Sequence, residues 1–199
     1  MNGAAILGLV GTIVGMTRAL PQLLGFFRSG KANGVSPDSA ATSSLVSVGG
    51  AVYGIMTHQM FLGLSASTSA LIFVLITILS IRFGRSVAEL RVAPVWLIVM
   101  IVCWFAFGVT GLGMMIPVSV LASNTPQVMV AYRESNLSDL SLSTWALNFS
   151  DGLVWSGYSL IQDDNFLLLY GAFQMATSSA IIFFKLTKRY RSKHYPMPS

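Results

Sequence analysis

Apolar positions in this chain fill long blocks separated by short polar stretches such as "RSGKANGVSP", "THQM" and "QDDN". Each block holds about 17 to 25 residues, enough for a helix to cross a hydrocarbon core about 30 Å thick. The blocks predict helices at 3–27, 39–57, 60–82, 91–107, 109–132, 141–161 and 165–184. An all-α membrane protein with seven transmembrane helices is therefore expected. The first block starts without a basic flank and runs into a patterned span carrying Arg18 and Pro21, so it reads as a retained helix rather than a cleaved leader. Composition agrees: 54% of residues are hydrophobic and 10% charged, which leaves no stretch for a separate water-exposed domain.

The pattern repeats. "ALPQLLGFFR" and "NTPQVMVAYR" share Pro-Gln followed, after five intervening residues, by Arg, and the two copies are 105 positions apart. Laying 1–85 on 106–190 without a gap pairs Gly8 with Gly113, Pro21 with Pro126, Gln22 with Gln127, Ser36 with Ser141 and Tyr53 with Tyr158. A duplicated three-helix unit follows. Three crossings per unit would leave fused copies inverted, and the block "VAPVWLIVMIVCWFAFG" supplies the extra crossing that makes them parallel. The expected organisation is a first repeat at 1–85, a linker helix at 86–107, a second repeat at 108–187 and a basic tail at 188–199.

Charge orients this arrangement. With the N-terminus outside, eleven of the twelve Lys and Arg residues fall on the cytoplasmic side, and the outer loops have none. The net charge of +5 is then accounted for by topology and by anionic lipid beside the tail "KLTKRYRSKHYP", with no need for a nucleic-acid partner. His58 and His194 lie in an outer loop and the tail, and Cys103 has no partner for a disulfide. No nucleophile and base are suitably spaced, so neither catalysis, a metal nor a cofactor is expected.

A doubled three-helix unit around one linker helix, with Pro-Gln on the first helix of each unit, resembles the PQ-loop superfamily. Among its branches the seven-helix SWEET sugar transporters are the most similar in architecture; "LPQLLGFFRSGKANGVSP" and "LVWSGYSLIQDDNF" resemble family segments in order and spacing. The resemblance implies a plasma-membrane transporter of a small polar solute, a sugar first. It also implies that Pro21, Gln22, Pro126 and Gln127 form a hinge or gate. A proline inside a helix removes a backbone N–H and clashes with the carbonyl four residues earlier, so a kink is expected at both positions.

Candidate solute-binding residues face the axis between the repeats. Arg18 and Asp151 each lie about nine or ten residues from the inner end of a span, roughly 14 Å deep, and so at one level. Either charge alone is costly at a helix centre, which favours their pairing or a wet cavity around them. Asn148, Asp151, Trp155 and Tyr158 share one helical face, and Ser123 is the repeat equivalent of Arg18. Ser43, Ser47 and Gly50 form a small polar face opposite. Trp155 suits stacking on a sugar ring, as in the family's Trp-x-x-Tyr. Sugar-carrying members have a pocket asparagine on the third helix of each half, where this chain has Ala66 and Gly171. The Arg18 and Asp151 charges fit a zwitterion, as in the amino-acid-exporting branch, or a proton carried at Asp151; a static salt bridge is equally open. A cargo receptor without transport is the alternative of a different class, and homo-oligomerisation is left open.

The orientation is checked by labelling. A cysteine introduced at Asp163 should react with an impermeant reagent from outside the cell, and one at Arg189 should not; reaction of the latter would reverse or break the seven-span arrangement.

Overall fold

The structure is a computed structural model describing residues 3–58, 60–163 and 165–194. The stretch 195–199 of the expected tail lies outside the described residues. The described residues form helices joined by loops, with α1 at Gly3–Thr17, α2 at Leu20–Ser29, α3 at Pro37–Met56 and α4 at Met60–Arg82. A 3-10 turn at Val87–Glu89 leads into α5 at Val92–Arg133, followed by α6 at Leu142–Gln162 and α7 at Asn165–His194.

The two prolines of the repeated motif act differently. Pro21 lies in the first turn of α2, and the helix preceding it stops at Thr17, the residue whose carbonyl the proline ring would strike. The single span expected at 3–27 is therefore two helices meeting at Arg18 and Ala19. Pro126 instead stays inside α5, where the Ser39 hydroxyl donates to the Ser123 carbonyl at 2.6 Å. The equivalent bond in the first copy would run from Thr144 to Arg18, and the buried Thr144 Oγ1 has no partner. One copy of the motif is broken and the other is bridged.

The hydrogen-bonding pattern of α5 runs through a residue that is not helical: Gly108 has φ 58° and ψ −139°. A side chain would be strained there, so glycine is required. In a straight helix Trp96 and Ser119 would stand about 35 Å apart. Instead Trp96 Nε1 donates to Ser119 Oγ at 3.1 Å, and Cys103 Sγ lies 3.4 Å from Met115 Sδ. The chain thus reverses at Gly108, and its two arms lie side by side. The first arm is anchored at its start by Asp38 of α3, whose carboxylate accepts from the Val92 and Ala93 N–H groups at 2.9 to 3.0 Å.

Helix α1 packs on α4 of its own copy and on α6 of the other. The second arm of α5, its repeat equivalent, packs on α7 and on α3. Both units are thus interleaved across a shared axis. Around the outside the large apolar side chains are bare, with Phe105 83% and Leu71 69% exposed, whereas Asp151 at 1% and Thr42 and Ser178 at 0% are enclosed. Apolar outside and polar inside is the distribution a lipid solvent imposes.

Among the described residues, five helical runs are long and apolar enough to cross a membrane: Ala5–Ser29, Pro37–Met56, Phe61–Arg82, Val92–Arg133 and Leu167–Lys188. Helix α6 has a similar length, 21 residues, but is not among them. Its sequence "LSTWALNFSDGLVWSGYSLIQ" gives up apolar positions to the face bearing Asn148 and Asp151.

Gly108→Ala should lower stability by about 1–3 kcal/mol, the usual cost of a side chain in such a backbone conformation. In a chain of this size that is about 2–4 °C in unfolding temperature per kcal/mol. An unchanged melting curve in detergent would show that the reversal is not at Gly108.

Candidate functional site

At one end of the axis the two Pro-Gln glutamines tie the units together. Gln22 donates from Nε2 to the Asp139 carbonyl at 2.9 Å and accepts at Oε1 from the Ser141 N–H at 2.7 Å. Gln127 donates to the Gly34 carbonyl and accepts from the Ser36 N–H, both at 2.7 Å. Residues 34 and 36 are the repeat equivalents of 139 and 141, so the ties are reciprocal. Both glutamines are at least 95% buried. The latched serines also start helices: Ser36 Oγ accepts from Ser39 N at 3.1 Å, and Ser141 Oγ from Thr144 N at 3.2 Å.

Further along the axis, Asp151 is the acceptor for three side chains. Arg18 Nη1 donates to its Oδ2 at 2.9 Å, the Tyr170 hydroxyl to the same oxygen at 2.7 Å, and Trp155 Nε1 to Oδ1 at 3.2 Å. Arg18 Nη1 also donates to the Tyr170 oxygen at 3.0 Å, and its guanidinium stands 5.8 Å from the centre of the Phe73 ring. Its Nε is buried with no partner, so the guanidinium retains donor capacity.

Between the ties and this cluster runs a chain of amides. Gln174 Nε2 donates to Asn148 Oδ1 at 2.8 Å, Asn124 Nδ2 to Gln174 Oε1 at 3.1 Å and to Thr177 Oγ1 at 2.8 Å, and Asn148 Nδ2 to the Thr144 carbonyl at 2.9 Å. At the opposite end of the axis, tyrosines rest on glycines of the other unit. Tyr158 lies against Gly8, and Tyr53 against Gly113 so closely that an added Cβ would come within 2.9 Å of the ring. These contacts are also equivalent under the repeat.

Three cavities lie in series along the axis. The first, about 60 Å³, extends from Gln22 and Gln127 past Ser43, Ser123 and Asn148 to Arg18 and Tyr170. A second, about 90 Å³, shares Arg18, Ser47 and Tyr170 with it and adds Asp151, Trp155 and Gly50. The third, about 240 Å³, shares Trp155, Leu62 and Ile116 with the second and reaches Tyr53, Thr57 and Thr110. The path widens away from the glutamine ties. Its narrow end has room for about four to six waters, and two buried polar atoms on its walls, Arg18 Nε and Thr144 Oγ1, lack a partner.

The structure brings Arg18, Asp151, Trp155, Asn148 and Ser123 to this axis. Tyr158 is placed apart: it stacks edge-on against Trp155 with ring centres 5.5 Å apart and lines none of these three cavities. Three polar residues that the sequence reading passed over are central, namely Tyr170, Gln174 and Asn124. Tyr170, Gln174 and Thr177 follow three/four spacing on α7, a polar face visible in the sequence. Gly171 is occupied by packing, because a Cβ there would meet Ser156 Oγ and the Gly152 carbonyl. No larger side chain fits, and the amide on this helix comes from Gln174, one turn nearer the glutamine ties.

Removing one partner of a buried ion pair typically costs 3–5 kcal/mol, whereas apolar replacement of both can be nearly neutral. Arg18→Met or Asp151→Leu alone should therefore lower the unfolding temperature strongly, and the double variant should recover most of the loss. No recovery would mean that Tyr170 and Trp155, left without their acceptor, dominate the energetics. Compared with known proteins, the chain matches no family model, and no curated protein is significantly similar to it.

Proposed function

We propose that this chain is a membrane transporter of the PQ-loop type, similar to the SWEET proteins, moving a small polar solute by alternating access. In this reading the two arms of α5 are separate crossings. The chain then has seven spans in a 3+1+3 order, with the linker helix formed by the first arm. The Pro-Gln end faces the cytoplasm of a cell whose plasma membrane holds the protein, as its basic flanks favour. The observation that carries the proposal is the series of cavities along a repeat-symmetric interface, wide at one end and closed at the other by reciprocal glutamine ties.

Four neutral hydrogen bonds, worth about 0.5–1.5 kcal/mol each, hold that end shut. Their sum is comparable with the differential affinity of about 5.5 kcal/mol that swings a two-state equilibrium from one extreme to the other. A bound solute can thus open it. A sugar is the first choice, with Trp155 as the stacking surface and the amides of Asn148 and Gln174 beside the hydroxyls. The uncommitted donor of Arg18, next to Asp151, favours a zwitterionic amino acid as the second reading. Either would move down its own gradient or together with a co-transported proton.

Counterflow in proteoliposomes, run with labelled monosaccharides and with labelled amino acids, separates the readings. Exchange of one class supports transport of that class, and binding without exchange by folded protein supports a cargo receptor. Because the helix is broken at Pro21 and continuous at Pro126, Pro21→Ala should reduce flux about tenfold. That is the effect expected when one restored helical hydrogen bond biases the equilibrium by about 1.4 kcal/mol. Pro126→Ala should reduce it less. Equal effects would remove the hinge from the first copy.

A further inference from the structure

Beside the glutamine ties, but outside the axis, a cavity of about 350 Å³ opens between the 3-10 turn and the two ends of α5. Its acidic residues are fully engaged. Glu89 accepts from Arg85 at 2.7 Å and from the Ser86 N–H at 2.8 Å. Glu134 accepts from Arg85 at 2.7 Å and from the Gly34 N–H at 3.1 Å. Both Asp38 oxygens are taken by the start of α5. Arg85 is held through both Nη atoms by its two glutamates, and only its buried Nε is left without a partner.

The side chains of two further arginines on the wall, Arg91 and Arg133, make no hydrogen bond or ion pair with any described residue. The uncommitted hydrogen-bonding capacity of this cavity is thus dominated by two guanidinium forks, the donor geometry that recognises phosphate. The rest of the wall is largely apolar, formed by Val92, Pro126, Met129 and Val130. Arg91 and Arg133 flank the two ends of α5; with its two arms read as separate crossings, this is where the apolar hairpin would leave the hydrocarbon and meet the headgroups.

We propose that this cavity binds the phosphate of an anionic phospholipid between Arg91 and Arg133, with the acyl chains along Met129 and Val130. Such a lipid touches Ser36 and Pro126, next to the Gln127 tie, and holds the closed end in the conformation described. The site does not depend on what the axis carries, so its test is independent of transport.

The test is native mass spectrometry of the full chain in detergent, titrated with phosphatidylglycerol, phosphatidylcholine or glycerophosphoglycerol. The anionic lipid should be retained about tenfold more tightly than the neutral one, as one charge-assisted contact provides. Arg91→Gln with Arg133→Gln should abolish that preference. Arg82→Gln, which removes a charge on the same side but off this cavity, should leave it intact. Equal retention of both lipids, or an equal loss with Arg82→Gln, would reduce the site to diffuse surface charge and overturn the proposal. Equally tight binding of glycerophosphoglycerol would overturn the lipid as occupant in favour of a soluble phosphate.

Discussion

A glutamine side chain offers donors at one atom and an acceptor at another, and the architecture depends on both being used at once. Gln22 and Gln127 each grip a carbonyl and an N–H two residues apart in the partner unit. The loops they hold have no helical partners of their own, and buried backbone groups must find partners somewhere. One side chain therefore satisfies a loop, fixes the helix start that follows it and sets the spacing of the two units. An asparagine would be one methylene short, and a glutamate could not donate.

Against this symmetric frame, the chemistry of the axis is one-sided. The equivalents of Arg18, Asp151, Trp155 and Tyr170 in the other copy are Ser123, Val46, Gly50 and Ser65. The charged cluster is drawn from the first helix of one unit and the second and third helices of the other. The first copy's α4 has serines where α7 has Tyr170 and Gln174, and Ser69 only closes a helix contact to the Gly15 carbonyl at 2.8 Å. Frame and site follow different rules: one is repeated, the other is written once.

That division explains what could be read from the sequence. The helical, apolar character and the 105-residue offset were legible because they rest on long apolar blocks and on residues that occur twice; the break at Arg18 and Ala19 and the extension of α7 to His194, ten residues past its apolar block, were not. Arg18 and Asp151 were legible as a pair because an isolated charge in an apolar span must be answered, and depth alone matched them. Tyr170 escaped because aromatic residues abound in apolar helices, although its three/four spacing with Gln174 and Thr177 was there to be read. Gly171 read as a missing asparagine, whereas its reason is local, the close approach of α6 and α7. The unequal prolines were not legible, since both copies offer a hydroxyl at the equivalent position, Ser39 and Thr144, and only that of Ser39 is bonded to the proline-bearing helix.

Joining the two units in one chain has a consequence for stoichiometry. Were the same frame assembled from two identical three-helix chains, every residue near the axis would appear twice. A guanidinium at the level of Arg18 would face its own copy across a narrow, poorly solvated gap, with like charges in repulsion. The reversal at Gly108 makes the linking arm that lets the halves differ. A single cation, a single carboxylate and a single indole can then share one point, giving the path a handedness across its width that a symmetric pair would not have.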